Sequence, residues 1–352
     1  MAIGDPCPLF TARASNSPGL KIDTIAGRWL VLTFIPGMDD PAAAGLARVL
    51  AVSPQFDDSH GSLFFITPDP ADESGGRLPL RTPGVRAFWD QDRQVAQQFG
   101  LTGNDLVTAV ISPRLQIMAE IREADPARHA QAVLELMASL PRMDALPPVL
   151  AHAPVMVIPQ VFEPELCRVL IQGYERNGGK ESGFMREVDG KTVEVKDRSH
   201  KVRSDWVIED QQLVRAIQTR FSRRVIPEIK KAYQFDVTRM ERYIVACYAA
   251  EEGGHFRAHR DNTTKGTAHR RFAVSINLNA EEYEGGDLRF PEFGRRTYRA
   301  PTGGAVVFSC SLLHEASQVT AGKRYAFLPF LYDEAAKKIR EANLGFIQKA
   351  AE

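Results

Sequence analysis

Pro141, Pro147, Pro148 and Pro154 crowd the stretch LPRMDALPPVLAHAP, and this run restricts the fold more than any other feature of the chain. Each proline removes a backbone donor and constrains the residue before it, so neither a helix nor a central strand runs through here. The stretch reads as a Pro-rich linker at 143–153 between a first domain at 1–142 and a second at 154–352. A length of 352 residues fits two domains at roughly 150 residues each. Before the linker, β-rich runs at Trp29 to Ile35, Leu63 to Ile66, Val107 to Ile111 and Gln116 to Ile121 alternate with helical stretches such as Val95 to Phe99 and Arg128 to Leu140. That order predicts an α/β sheet with some parallel pairing. After the linker come a helix starting near Glu163-Pro164, a charged hairpin-like stretch to Arg203, and a helix around Gln212 to Tyr233. Several short strands from Met240 to Leu331 with Gly-rich turns then predict a sandwich or jelly roll.

Charge and cysteine usage exclude several functions. Lys and Arg number 44 against 44 Asp and Glu, so nucleic acid or an anionic membrane is not bound through bulk charge. Cys7, Cys167, Cys247 and Cys310 are far apart and form no C-x-x-C, which argues against a disulfide framework or a cysteine zinc site and for a reducing cytoplasm. The start, MAIGDPCPLF, lacks the basic and apolar regions of a signal peptide, and no run approaches the ~18 apolar residues of a membrane span. The expectation is a soluble, cytoplasmic protein with no nucleic-acid or membrane partner.

In the first domain, GDPCPLFTARAS, GRWLVLTFIPG, WDQDRQVAQQFGL and VTAVISPRLQIMAEI follow one another in the order seen in the peroxiredoxin branch of the thioredoxin-like fold, which this half resembles. That family's chemistry needs a thiolate at a helix N-terminus, in the pattern Pro, three residues, Thr, two residues, Cys. Here Pro36 is followed by Asp40 at the Thr place and Ala43 at the Cys place. The half is therefore expected to be an α/β thioredoxin-like, peroxiredoxin-like module lacking the peroxidatic Cys. Cys7 is its only thiol.

In the second domain, HFRAHRDN places His259 and Asp261 one residue apart, on one face of an extended segment, and His314 follows in FSCSLLHEA. Two imidazoles and one carboxylate make the facial set that holds non-haem Fe(II) and leaves three coordination positions open. An H-x-D tripeptide alone is common by chance, but its context adds weight. Arg324 stands ten residues past His314 on the next predicted strand, where its guanidinium could clamp a carboxylate with two hydrogen bonds.

Taken together, Tyr248 ahead of HRD, SINLN, EGGDLRF, PTGGAVVFSCSLLHEA and SQVTAGKRY resemble the prolyl 4-hydroxylase type of 2-oxoglutarate- and Fe(II)-dependent oxygenases over about residues 154–335. The resemblance implies a double-stranded β-helix (jelly roll) with flanking helices and a dioxygenase that hydroxylates a C–H bond. Its substrate would be prolyl, peptidyl or small and amino-acid-like, with O2 consumed and succinate and CO2 released. It further implies Fe(II) on His259, Asp261 and His314, 2-oxoglutarate anchored by Arg324 and touched by Tyr248, and L-ascorbate as a reductant. Asp261 favours hydroxylation, since the related halogenases have Ala or Gly at that place. Asn277 stands where many prolyl hydroxylases have Tyr. Arg203, in SHKVRSDW, falls where they have an Arg near the substrate groove, although a surface salt bridge explains it equally well.

The remaining features read as surface: His255 and His269 as loop residues, and RSHKVR with Arg295-Arg296 as a solvated face. Three other readings stay open. They are a non-catalytic cupin-like binding protein, a thiol peroxidase working through Cys7, and a scaffold whose redoxin half recruits the substrate. A homodimer could form through either domain.

Overall fold

The computed structural model describes residues 3–103, 106–143 and 152–348. The chain divides into two compact units, Met1–Ala151 with Pro291–Arg295, and His152–Phe290 with Arg296–Glu352. Residues 144–151 of the Pro-rich linker lie outside the described residues.

The first unit is built on a seven-stranded sheet of β1 (Thr11–Ala14), β2 (Ser17–Lys21), β3 (Trp29–Phe34), β4 (Gly61–Thr67), β5 (Val85–Trp89), β6 (Val107–Ile111) and β7 (Ile117–Ile121), in the order 2-1-5-4-3-6-7. β3, β4 and β5 pair in parallel, and β6 joins β3 antiparallel. Every residue of WLVLTF and GSLFFIT is buried, as a parallel strand covered on both faces requires. The helices Pro41–Ala51 and Pro126–Ser139 pack Leu46, Leu50, Val133 and Met137 against Val31, Leu63 and Phe65. This is a thioredoxin-like architecture.

The place where a redox thiolate would sit is chemically closed. Ala43 is fully buried, and the Asp40 carboxylate caps the helix, accepting from the N–H groups of Ala42 (2.8 Å) and Ala43 (3.0 Å). The donors that would stabilise a thiolate are thus already used by a carboxylate. Arg77 ties the neighbouring loop by hydrogen-bonding Asp39 (2.7 Å), Asp72 (2.8 Å) and Asp69. Cys7 is buried, and burial pushes its thiol up to about 12, the opposite of what a nucleophile needs.

The second unit is a jelly roll of two facing sheets with helices on the outside. The larger sheet runs Arg239–Glu241, Phe330–Tyr332, Phe272–Asn277, Val319–Phe327, Ile244–Ala249, Ser204–Val207, Lys180–Glu181. The smaller runs Lys201–Val202, His255–His259, His314–Ala316, Leu288–Arg289, Thr297–Tyr298. Period-two alternation sorts the larger sheet's side chains. Val245, Cys247, Val274, Ile276, Tyr325 and Phe327 face the helices and pack with Leu166, Leu170, Ile217, Phe221 and Ile229. Tyr248, Ser275 and Arg324 point the other way, into a cavity between the sheets.

Several expectations need correction. The helix expected around Gln212 to Tyr233 is interrupted by a π-turn at Phe221–Val225, just before Pro227, which lacks the N–H needed to continue the ladder. His269 is not on the surface: it is 2% exposed and donates from Nε2 to Glu241 (2.9 Å). His255 is half-buried, with Nδ1 donating to the Gly253 carbonyl (2.7 Å). In RSHKVR, Lys201 and Arg203 are buried rather than solvated. The Lys201 amine donates to Ser182 Oγ (2.8 Å) and to the Gly183 carbonyl, and burial, reinforced by Arg203, pushes its pKa down to about 6.

Candidate metal centre

His259 ends the strand His255–His259 and stands directly across the antiparallel pair from His314, the first residue of His314–Ala316. Asp261 lies two residues past His259 in a turn fixed by its own N–H, which donates to the Cys310 carbonyl (3.0 Å). Local sequence thus supplies His259 and Asp261 together, and strand register delivers His314.

The ring nitrogens are assigned by their hydrogen bonds. His259 Nδ1 lies 2.8 Å from the Arg257 carbonyl and His314 Nδ1 lies 3.0 Å from the Leu312 carbonyl. A carbonyl can only accept, so Nδ1 carries a proton in both rings and Nε2 is the atom each ring can offer to a metal. Those atoms lie 3.5 and 3.4 Å from the two Asp261 oxygens, and one donor atom from each residue falls within 4.8 Å of the others. Ligands held about 2.1 Å from a common ion at right angles would stand about 3 Å apart. The Phe256 ring stacks on His259 at 3.5 Å between centroids and fixes its plane. Burial, reinforced by His259 and opposed by Asp261, pushes His314 down to about 4, so it is neutral at pH 7. Burial would raise Asp261, but His314, His259 and Arg270 hold it far below the usual carboxylate range. Two imidazoles and one carboxylate are a donor set that fits Fe(II).

The same cavity is lined by Arg203, Arg242, Tyr248 and Arg324 and by apolar Phe256, Leu288, Phe308, Leu328 and Phe330. Arg324 is 2% exposed and donates from Nη2 to Ser275 Oγ (2.8 Å) and, weakly, to Asn277 Oδ1 (3.5 Å). Its Nε is buried without a hydrogen-bond partner. A buried donor left unpaired is costly, and the distal carboxylate of 2-oxoglutarate is an acceptor of the right chemistry to fill that gap. Tyr248 pairs with Arg324 across neighbouring strands, and its ring lies 5.1 Å from the guanidinium. Asn277 turns its amide to the Ala300 carbonyl (2.7 Å).

Arg203 is not a surface residue. It clamps Asp205 through two bonds of 2.7 Å and donates to the Tyr248 hydroxyl (3.3 Å). Sequence reasoning missed Asp205, Arg242 and Ser275. The first is two residues from Arg203 and the last two from Asn277, so strand alternation was the available signal; Arg242 gave none.

Residues 243–332 match the 2OG-Fe(II) oxygenase superfamily. PKHD-type hydroxylases of two Synechococcus strains are each 29% identical over 89 residues, which is 24% of this chain and 39% of theirs. The chain thus spans about two fifths of the length of the curated relatives it matches. Among solved structures, a Trichoplax adhaerens prolyl hydroxylase in complex with a hypoxia inducible factor peptide fragment aligns over 53% of this chain and 86% of its own (TM-score 0.40, 17% identity). Xanthomonas campestris bacterioferritin comigratory protein aligns over 38% of this chain and 98% of its own (TM-score 0.33, 20% identity). Among the described residues no helix is long and apolar enough to cross a membrane. The second unit of this chain carries, over residues 243–332, a domain of the 2OG-Fe(II) oxygenase superfamily.

Proposed function

We propose that the chain is a 2-oxoglutarate- and Fe(II)-dependent dioxygenase that hydroxylates a C–H bond of a prolyl, peptidyl or small amino-acid-like substrate. The observation that carries this reading is one cavity in which three convergent metal donors share the walls with a buried, under-partnered guanidinium. His259, Asp261 and His314 hold the metal. Arg324, steadied by Ser275, anchors 2-oxoglutarate, and Tyr248 with Arg203 behind it flanks that anchor. When bound, Fe(II) and 2-oxoglutarate supply O2 activation, with one oxygen atom going to the substrate and the other to succinate as CO2 leaves. The protein fixes the donors, keeps one face open, and excludes water with Phe256, Leu288, Phe308 and Phe330.

The same reading divides the chain into a redoxin-like domain at 1–142 without redox chemistry, a linker at 143–153 and the oxygenase domain at 154–352. It adds L-ascorbate as a reductant for idle iron, a homodimer through either domain, and a cytoplasmic setting supported by four unpaired cysteines.

The test is anaerobic addition of Fe(II) and 2-oxoglutarate to the full chain. A metal-to-ligand visible band, and slow succinate formation once O2 is admitted, are expected. His259→Ala and His314→Ala should lose both; if either keeps the band and the succinate, the ligand assignment is wrong. A band without succinate would favour the cupin-like binding protein.

A further inference from the structure

Cationic and anionic groups are unequally matched around the cavity. Arg203, Arg242 and Arg324 line it, against Asp261 as the one lining carboxylate. Asp205 serves two of the three guanidiniums, and unequally. Arg203 takes both of its oxygens at 2.7 Å, whereas Arg242 reaches only Oδ2, at 3.2 Å, from one Nη2. Burial would raise Asp205, but Arg203 and Arg242 hold it at about 2, so it carries a single full negative charge.

Arg242 is placed for a ligand. Its side chain is 30% exposed, its guanidinium stands 5.4 Å from the ring of the cavity residue Phe330, and burial with Arg203 lowers it only to about 10, so it is charged at neutral pH. Arg270 lies on the same ring at 4.0 Å but is matched by Glu241 at 2.9 Å. The backbone of Arg242 is left-handed, φ 64°, at the turn between the strands Arg239–Glu241 and Ile244–Ala249. That conformation is uncommon for a long side chain, and such strain is concentrated at binding sites.

On the oxygenase reading above, the charges can be paired off. The dication, Asp261, doubly charged 2-oxoglutarate and Arg324 sum to zero, and Arg203 cancels Asp205. Arg242 is left with a positive charge beside an apolar wall, opposed only by its 3.2 Å contact to the Asp205 oxygen that Arg203 also holds. We propose that Arg242 is a specificity residue and that the substrate is an acid, which gives one carboxylate to Arg242 while its oxidised carbon faces the metal centre. A carboxylate closes the balance at one charge, and a phosphate dianion would overshoot it. The carboxylate of an N-acylated amino acid or of a chain's C-terminus satisfies this requirement; the uncharged backbone of a peptide's interior does not.

The test uses the full chain loaded anaerobically with Fe(II) and 2-oxoglutarate, with the visible band as readout. Acid and amide pairs are titrated in: N-acetyl-L-proline against N-acetyl-L-prolinamide, and each other N-acetyl-L-amino acid against its primary amide. At least one acid should perturb the band at a concentration roughly 10- to 100-fold below its amide, as expected for one charge-assisted pair. Arg242→Gln should abolish that preference and Arg242→Lys should restore part of it. If no acid outbinds its amide, whether both bind or neither does, the inference is wrong. It is equally wrong if Arg242→Gln keeps the preference, or if that variant loses the 2-oxoglutarate band, which would make Arg242 part of the cosubstrate site. A wild-type chain that gives no band overturns the oxygenase reading itself and this inference with it.

Discussion

At the scale of single residues, the second unit places side chains where small changes have directed effects. Gly286 has φ +68°, and a Cβ there would lie 2.8 Å from Val319 Cγ2 and 3.2 Å from Arg324 Cδ. Gly286→Ala should therefore displace Arg324 and weaken 2-oxoglutarate about 10-fold, read by titrating the band, while Fe(II) alone still binds. Lys201 gives a pH signature. Its pKa is about 6 in the folded protein, against about 10.4 in an unfolded chain. Between those values the unfolded state binds the extra proton, so this residue's contribution to stability rises with pH. Its two acceptors, Ser182 Oγ and the Gly183 carbonyl, match the two N–H groups of a neutral amine. From pH 7 to 9 the wild type should gain stability relative to Lys201→Met by up to about 1.4 kcal/mol per pH unit, measured by urea unfolding. Parallel pH profiles would show that the amine is solvated and charged.

At the scale of elements, strand pairing builds the site and ion pairs fasten the strands. Register sets His259 against His314 in the smaller sheet and Tyr248 against Arg324 in the larger. Glu241 closes the strand Arg239–Glu241 onto the segment below the metal centre: it accepts from His269 and Arg270, each at 2.9 Å, and lies 3.3 Å from Arg340. Burial would raise this carboxyl, but His269 and Arg270 hold it at about 2. Glu241→Ala leaves the buried Arg270 guanidinium without its carboxylate and should cost about 3 kcal/mol in denaturant unfolding, far more than a surface ion pair. In the first unit, Asp40→Ala removes the helix cap at Ala42 and Ala43 and should cost about 1 kcal/mol. The Asp40 cap also explains why the redoxin motif could be read as degenerate from sequence: a carboxylate at the Thr place competes for the same N–H groups a thiolate would use.

At the scale of the whole molecule, each unit has a hydrophobic core drawn from its own strands and helices. The helices Pro164–Asn177 and Gln211–Arg220 cover the larger sheet of the second unit from residues within that unit. A fragment spanning 152–352 should therefore unfold cooperatively in a thermal melt and still give the 2-oxoglutarate band. A fragment that melts without a transition would show that the second core depends on residues 1–151. The overall charge balance, 44 against 44, fits a protein whose selectivity resides in a few buried groups rather than in a long-range field.

Sequence by itself determined the kind of fold in each half and the set of candidate ligands. These depend on short-range information: the alternation of buried strands, the spacing in H-x-D, and the types of side chain that can bind iron or a carboxylate. Only the tertiary structure decided which charged residues are buried and whom they face. His269, Lys201 and Arg203 look in sequence like ordinary surface residues, because a polar side chain in a turn or at a short strand carries no local mark of what will cover it. Arg203 acquired Asp205 and Tyr248, Arg324 acquired Ser275, and Arg242 was left with a shared carboxylate. Apart from Arg203 with Asp205, two residues away, those pairings join segments distant in the chain, and long-range strand register brings them together.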